Sequence, residues 1–201
     1  MVKNVILDVG KVLVEWEPDI AFQKLGFDAA TSRIVSAATV YSKDWDEVDR
    51  SEQSDEALLA KLISNAPEYE REIRLVWENI GFPIRQYDYA KNWILAMKQR
   101  GLGVYILSNY SRFAYENTAE ALSFLAHVDG AVFSFQVHRI KPEPEIYRAL
   151  LDQYNLNPQE CVFIDDREVN LKAAKAQGIA GIHFTSYEEA IAKLREYGVE
   201  C

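Results

Sequence analysis

Four stretches of this chain carry reactive side chains, three of them directly after apolar runs and the other, at Lys141, further on from one. Asp8 follows Val5-Ile6-Leu7, Ser108-Asn109 follows Ile106-Leu107, Lys141-Pro142 follows Arg139-Ile140, and the pair Asp165-Asp166 follows Phe163-Ile164. Three carboxylates, one hydroxyl and one ammonium gathered at one place suit displacement at phosphorus. Asp8 would attack phosphorus and form an aspartyl-phosphate, which splits one difficult displacement into two easier ones. The carboxylates of Asp8, Asp165 and Asp166 repel one another and call for a cation; hard oxygen ligands with room for water suit Mg²⁺. Lys141 would oppose the charge spread over the transferring oxygens, while Ser108 and the amide of Asn109 donate hydrogen bonds to them.

These groups meet only if the runs before them are neighbouring strands. Segments 5–9, 104–108, 131–135, 161–165 and 182–184 are rich in Val, Ile, Phe and Tyr and almost continuously apolar, as parallel strands covered on both faces should be. Helical patterns around 111–123, 143–155, 168–177 and 187–198 alternate with the last four strands, and another near 85–100 precedes the second. Gly178 follows one helix, and Pro142 and Pro144 open another. The alternation predicts a doubly wound, Rossmann-like parallel α/β sheet. In such a sheet ligands bind beyond the carboxyl ends of the strands, where the four stretches lie.

Residues 18–81 interrupt that alternation. The segment is too long for one crossover, contains no convincing strand, and is dominated by helical spacing. Ser54-Asp55-Glu56 supplies an N-cap and an acidic first turn before Ala57-Leu58-Leu59. The expected division is an α/β core of residues 1–17 and 82–201, with a small helical cap, 18–81, inserted after the first strand.

A chain of 201 residues, 49% hydrophobic and 26% charged, has the usage of an ordinary globular protein with a real core. Its 22 Lys and Arg against 31 Asp and Glu give a net charge of -9, which argues against nucleic acid or an anionic membrane as a partner. A small anionic substrate is compatible with that balance, because a site can be locally positive. Cys161 and Cys201 show no spacing of a disulfide framework or zinc site, and the N-terminus carries neither a signal-peptide pattern nor a membrane span. The expected compartment is the cytoplasm.

The ordered set Asp8, Ser108, Lys141 and Asp165-Asp166 resembles the four motifs of the haloacid dehalogenase superfamily, hydrolases with an aspartate nucleophile. The likeness spans nearly the whole chain and puts residues 18–81 where that family carries its helical cap. Asp8-Val9-Gly10-Lys11-Val12-Leu13-Val14, Ser108-Asn109 and Lys141-Pro142-Glu143 are most similar to the bacterial sugar-phosphate phosphatases that include the α-glucose-1-phosphate phosphatase. The resemblance implies a Mg²⁺-dependent phosphatase. Its metal would be held by Asp8, the carbonyl of Gly10 and Asp166, with Asp165 orienting metal-bound water.

One position departs from the family. Its phosphatases carry a second Asp two residues after the nucleophile, as general acid and then base, whereas this chain has Gly10. Three outcomes follow: a substrate whose leaving oxygen needs little protonation, such as a sugar 1-phosphate; a stand-in group such as Glu15, Asp44 or water; or a protein that binds phosphate without turnover. A further alternative is carbon–halogen hydrolysis with Asp8 attacking carbon, against which the Asp165-Asp166 pair argues.

Other residues carry weaker signals. Ser108 lacks the Gly-x-Ser-x-Gly elbow of a serine hydrolase, and His127, His138 and His183 have no triad-like context. His138 borders the site only through its nearness to Lys141. In the cap segment, Tyr41, Lys43, Asp44, Trp45 and Arg50 form a polar and aromatic cluster, of which Tyr41 and Trp45 are the expected substrate contacts. Asn170, four residues after Asp166, would steady the metal shell through a hydrogen bond, and an ordinary first-turn helix position explains it equally well.

Overall fold

The chain runs through β1 (Asn4–Leu7) and β2 (Val14–Trp16) into five helices: α1 (Pro18–Lys24), α2 (Ala29–Ala38), α3 (Trp45–Arg50), α4 (Asp55–Ser64) and α5 (Glu70–Glu78). It returns through β3 (Ile84–Gln86), α6 (Ala90–Gln99), β4 (Gly103–Ser108), α7 (Arg112–Asn117), β5 (Gly130–Phe133) and α8 (Ser134–Val137). The last elements are α9 (Pro144–Gln153), β6 (Cys161–Asp165), α10 (Glu168–Ala176), β7 (Ala180–His183) and α11 (Tyr187–Glu196). The computed structural model describes residues 1–199; Cys201 lies outside them.

Five strands form a parallel sheet in the order β5-β4-β1-β6-β7. Alternation along each strand sends side chains to opposite faces. Val5, Leu7, Ile106, Val162 and Ile164 pack with Trp93, Met97 and Leu194 on one side. Ile6, Leu107 and Phe163 pack with Ile146, Tyr147, Leu150 and Ala174 on the other. Each fully buried side chain of this kind stabilises the fold by about 1.5–3 kcal/mol, so polar residues are displaced to the strand ends. This is the doubly wound sheet expected from the sequence. With β1 central, Leu7 lies opposite Ile106 on one side and Ile164 on the other, and the ends of β1, β4 and β6 open onto one crevice.

Helices α1 to α5 build a separate apolar cluster around Phe22, Val35, Val48, Leu58, Leu62, Ile73 and Trp77. The Ser54 side chain caps α4 by accepting from Ala57 N, as expected, and Asp28 caps α2 by accepting from Thr31 N at 2.7 Å. Lys61 and Asn65 both bind the carboxylate of Asp44. No described helix is long and apolar enough to cross a membrane.

Several boundaries differ from the sequence reading. Strands β2 and β3 form an antiparallel ribbon, Val14 against Gln86 and Trp16 against Ile84, on either side of the helical segment. The helix expected from 85 therefore starts at Ala90. The helix expected over 111–123 ends at Asn117, because Asn117 Nδ2 and Thr118 Oγ1 take the carbonyls of Phe113 and Ala114 at 2.8 and 2.7 Å. Phe133 ends β5 as Gln136 Oε1 accepts from its backbone N–H, and Ser134 begins a short helix rather than extending the strand to 135. The first strand leaves the ladder after Leu7, where Val9 O accepts from the N–H groups of Val12, Leu13 and Val14. The last strand starts two residues early, at Ala180. Pro142 precedes the helix that Pro144 opens, and the Lys141–Pro142 peptide is cis.

Candidate active site

Where β1 ends, Asp8 enters the crevice, 7% exposed. Its Oδ1 accepts from Val9 N and lies 2.7 Å from Lys141 Nζ. The same ammonium is 2.8 Å from Asp165 Oδ2, so one buried lysine bridges two buried carboxylates. Asp165, the last residue of β6, also accepts from Arg167 N at 2.8 Å and from Asn170 Nδ2 at 3.0 Å to each oxygen. Asp166 follows half-buried, and Asp8, Asp165 and Asp166 each offer an oxygen within 4.8 Å of the others.

The charges do not balance. Burial pushes Asp8 up to about 7 against the pull of Lys141, and Asp165 adds to the rise. Burial and the neighbouring Asp165 likewise raise Asp166. Burial works on Asp165 in the same sense, but Lys141, Arg167 N–H and Asn170 outweigh it and hold that carboxyl below its usual range. Lys141, whose burial alone would lower it, is held above its ordinary value by Asp8 and Asp165. Three carboxylates against one bridging ammonium leave two negative charges, the complement of a divalent cation.

A second observation agrees with that donor set. Among the described residues, Asn170 Oδ1 is buried without a hydrogen-bond partner on the wall of the same cavity, and water held by a cation would supply one. Because both oxygens of Asp165 already accept hydrogen bonds, Asp8 and Asp166 are the carboxylates better placed for direct ligation. Gly10 lines the cavity, and a Cβ built there would meet no atom within 4 Å.

The cavity has a volume of about 440 Å³ and lies between the strand ends and the helical segment. Asp8, Gly10, Ser108, Asn109, Lys141, Asp166 and Asn170 line its base, and Tyr41 and Trp45 line the opposite wall. Tyr41 is exposed, its hydroxyl donating to Asp19, while Trp45 tilts against Trp16 at 6.4 Å between ring centroids. The Asn109 side chain is committed to the backbone of Lys141, accepting from its N–H at 2.7 Å and donating to its carbonyl at 3.0 Å.

Other residues singled out by sequence lie elsewhere. Lys43 and Asp44 line a different surface depression, and Glu15 pairs with Arg85 outside the cavity lining. Arg50 turns to Glu143 on the core, and the His138 ring hydrogen-bonds Arg50 O at 2.8 Å. His183 Nε2 donates to Asp166 O at 2.9 Å and steadies the turn that carries the acid pair. Asp49, Lys11, Arg167 and Trp16 also line the cavity, and sequence reasoning did not find them. The left-handed backbone at Lys11, φ 60°, turns the chain just past Gly10. A lysine gives no sequence signal for such a conformation, unlike a glycine.

A family model described as haloacid dehalogenase-like hydrolase matches residues 2–178. D-ribitol-5-phosphate phosphatase of Bacteroides thetaiotaomicron is 28% identical over 189 residues, covering 89% of each chain. A sesquiterpene phosphatase of Aspergillus oryzae is 25% identical over 194 residues, 96% of this chain and 95% of the relative. A HAD-family enzyme of B. thetaiotaomicron, solved in complex with magnesium and inorganic phosphate, shares the fold with a TM-score of 0.68 at 20% identity, covering 94% of this chain and 99% of that one. Strand order, the crevice at the strand ends and the family match agree: the chain belongs to the haloacid dehalogenase-like hydrolases.

Proposed function

We propose that this hydrolase is a Mg²⁺-dependent phosphatase of small phosphate monoesters, acting through an aspartyl-phosphate on Asp8. The observation that carries the reading is the bridge of Lys141 between Asp8 and Asp165, with Asp166 left over for a cation. Asp8, the carbonyl of Gly10 and Asp166 would hold the ion, and Asp165 would orient its water. When bound, Mg²⁺ would neutralise the carboxylates and polarise a phosphoryl oxygen. Val9 N–H and Lys141 keep Asp8 Oδ1 occupied, so Oδ2 is the oxygen that attacks. Lys141 and Ser108 stabilise the charge on the transferring oxygens. Residues 18–81 act as the cap and residues 1–17 and 82–201 as the core, and closure over the cavity would exclude bulk water.

Phosphatase activity of two relatives that align along most of their length supports this reading. A cavity of about 440 Å³ accommodates a sugar phosphate. The wall of Trp16, Val40, Trp45, Ile80 and Ile84 favours a second reading, the phosphate of an apolar alcohol. Phosphate release from hexose 1-phosphates, hexose 6-phosphates, nucleotides and a terpenyl monophosphate separates the two. Chelation of Mg²⁺ is expected to abolish release. Turnover indifferent to chelator, with halide released from a haloacid, would favour the carbon–halogen reaction instead.

A further inference from the structure

We propose that Asp49, on the cap-side helix α3, is the general acid and then the general base of this site, the role that Gly10 leaves open. The assignment rests on the phosphatase reading. Asp49 lines the same cavity as Asp8 and Lys141, and no hydrogen bond or ion pair engages its carboxyl among the described residues. Asp46 on the same helix also lines the cavity but is exposed to solvent, and Asp166 is reserved for the cation. Asp8 is the nucleophile, Lys141 is shared by two carboxylates, and the Tyr110 hydroxyl is paired with Thr118 Oγ1 at 2.8 Å.

The helix that carries Asp49 is fastened to the core beside it. Asp49 O accepts from Ser134 Oγ at 2.7 Å, and the same Oγ accepts from Tyr110 N at 2.8 Å. Arg50 donates to Glu143 at 2.9 Å, and its carbonyl hydrogen-bonds the His138 ring. Ser51 Oγ accepts from Arg112 N at 3.0 Å. Three consecutive residues are thus tied to four points outside the helix, which holds the Asp49 backbone in place and leaves its carboxyl free for chemistry. Burial and Asp46 on the same helix push Asp49 up to about 7; Lys141 and Arg167 across the cavity oppose the rise, and Asp8 adds to it. A carboxyl titrating there serves both as proton donor and as acceptor near neutral pH.

In the first step, Asp8 Oδ2 forms the bond to phosphorus as the bond to the ester oxygen breaks. The electron pair goes to that oxygen, which takes the Asp49 proton and leaves as the alcohol. In the second, Asp49 carboxylate takes a proton from water as its oxygen attacks phosphorus. The phosphorus–Asp8 bond breaks, the pair returns to Asp8, and inorganic phosphate departs with Asp49 protonated again.

The test is Asp49→Asn assayed with Mg²⁺ on an alkyl phosphate and on p-nitrophenyl phosphate. Alkyl-ester kcat/KM should fall by ~10²-fold or more, while the first p-nitrophenyl turnover stays within roughly threefold because that anion leaves unprotonated. Its second step should be slow, giving a burst of about one p-nitrophenolate per site. Equal loss on both esters without a burst, or no loss, overturns the assignment. Should the amide variant fold poorly, Asp49→Ala with added formate reads the same role: restored alkyl-ester turnover supports it, and turnover unmoved by formate contradicts it. Failure of the phosphatase reading shows differently, as absence of phosphate release from wild type or its persistence in Asp8→Asn.

Discussion

Asn109 and Lys141 exchange two hydrogen bonds between the end of β4 and the loop before α9, from Lys141 N to Asn109 Oδ1 at 2.7 Å and from Asn109 Nδ2 to Lys141 O at 3.0 Å. The pairing fixes the lysine backbone, and with it the reach of Nζ to Asp8 and Asp165. Asn109→Ala removes both bonds, each worth about 1 kcal/mol, and should lower the melting temperature and phosphate release together. Asn109→Asp keeps the acceptor and should lie between. A melting temperature unchanged in Asn109→Ala would show that the lysine is placed by other contacts.

The raised Asp8 carboxyl gives the metal-free protein a definite pH dependence. Between the ordinary value of 3.8 and about 7, the folded chain binds more protons at Asp8 than the unfolded chain does. Stability from this group is therefore fully present below the lower value and falls as pH rises to the upper one. Asp165 is depressed and acts oppositely, losing its contribution as pH falls below its ordinary value. In EDTA, Asp8→Asn should melt higher than wild type at about pH 8, and Mg²⁺ should stabilise wild type more at about pH 8 than at about pH 5. Thermal melts that show a Mg²⁺ shift independent of pH would count against Asp8 as a ligand.

The Arg50–Glu143 pair joins α3 to the core through a two-pronged contact at side chains 20% and 32% exposed. Partial exposure limits its worth, so a double-mutant cycle of Arg50→Met and Glu143→Gln should give a coupling of about 1 kcal/mol. Activity should fall more than stability, because the contact positions the α3 side of the cavity. Zero coupling together with full activity would remove the clamp from the account.

The parts of this fold that the sequence made readable are those where burial dictates residue type. Strands such as Val5-Ile6-Leu7 and Cys161-Val162-Phe163-Ile164 are buried on both faces, which leaves a continuous apolar run ending in a polar group. That ending also exposed Asp8, Asp165-Asp166 and Ser108. Ribbon strands Val14–Trp16 and Ile84–Gln86 escaped because each has three residues and a partner about 70 positions away. Asp49 escaped for another reason. It stands in Asp44-Trp45-Asp46-Glu47-Val48-Asp49, where an acid facing a cavity has the same pattern as a solvated helix face. Glu15 and Asp44 have the same pattern in the sequence, but their carboxylates pair with Arg85 and with Lys61 and Asn65.

Open space at Gly10 supports a gain-of-function test. A Cβ there meets nothing within 4 Å, so the Gly10→Asp side chain starts into open space; its carboxylate joins three others, and the variant is expected to be more stable with Mg²⁺ than without it. Combined with Asp49→Asn, it should return part of the alkyl-phosphate turnover lost in the single variant, measured as kcat/KM. A folded double variant no faster than Asp49→Asn would mean that a carboxyl at position 10 cannot reach the leaving oxygen.

The most direct test of Asp8 as nucleophile is rapid acid quench of enzyme turning over a phosphate ester in Mg²⁺, followed by peptide mass analysis. The expected result is one phosphoryl group on the peptide containing Asp8, absent in a folded Asp8→Asn variant whose phosphate release has dropped to background. Phosphate release at the wild-type rate from Asp8→Asn, or a phosphoryl group trapped on another residue, would contradict it.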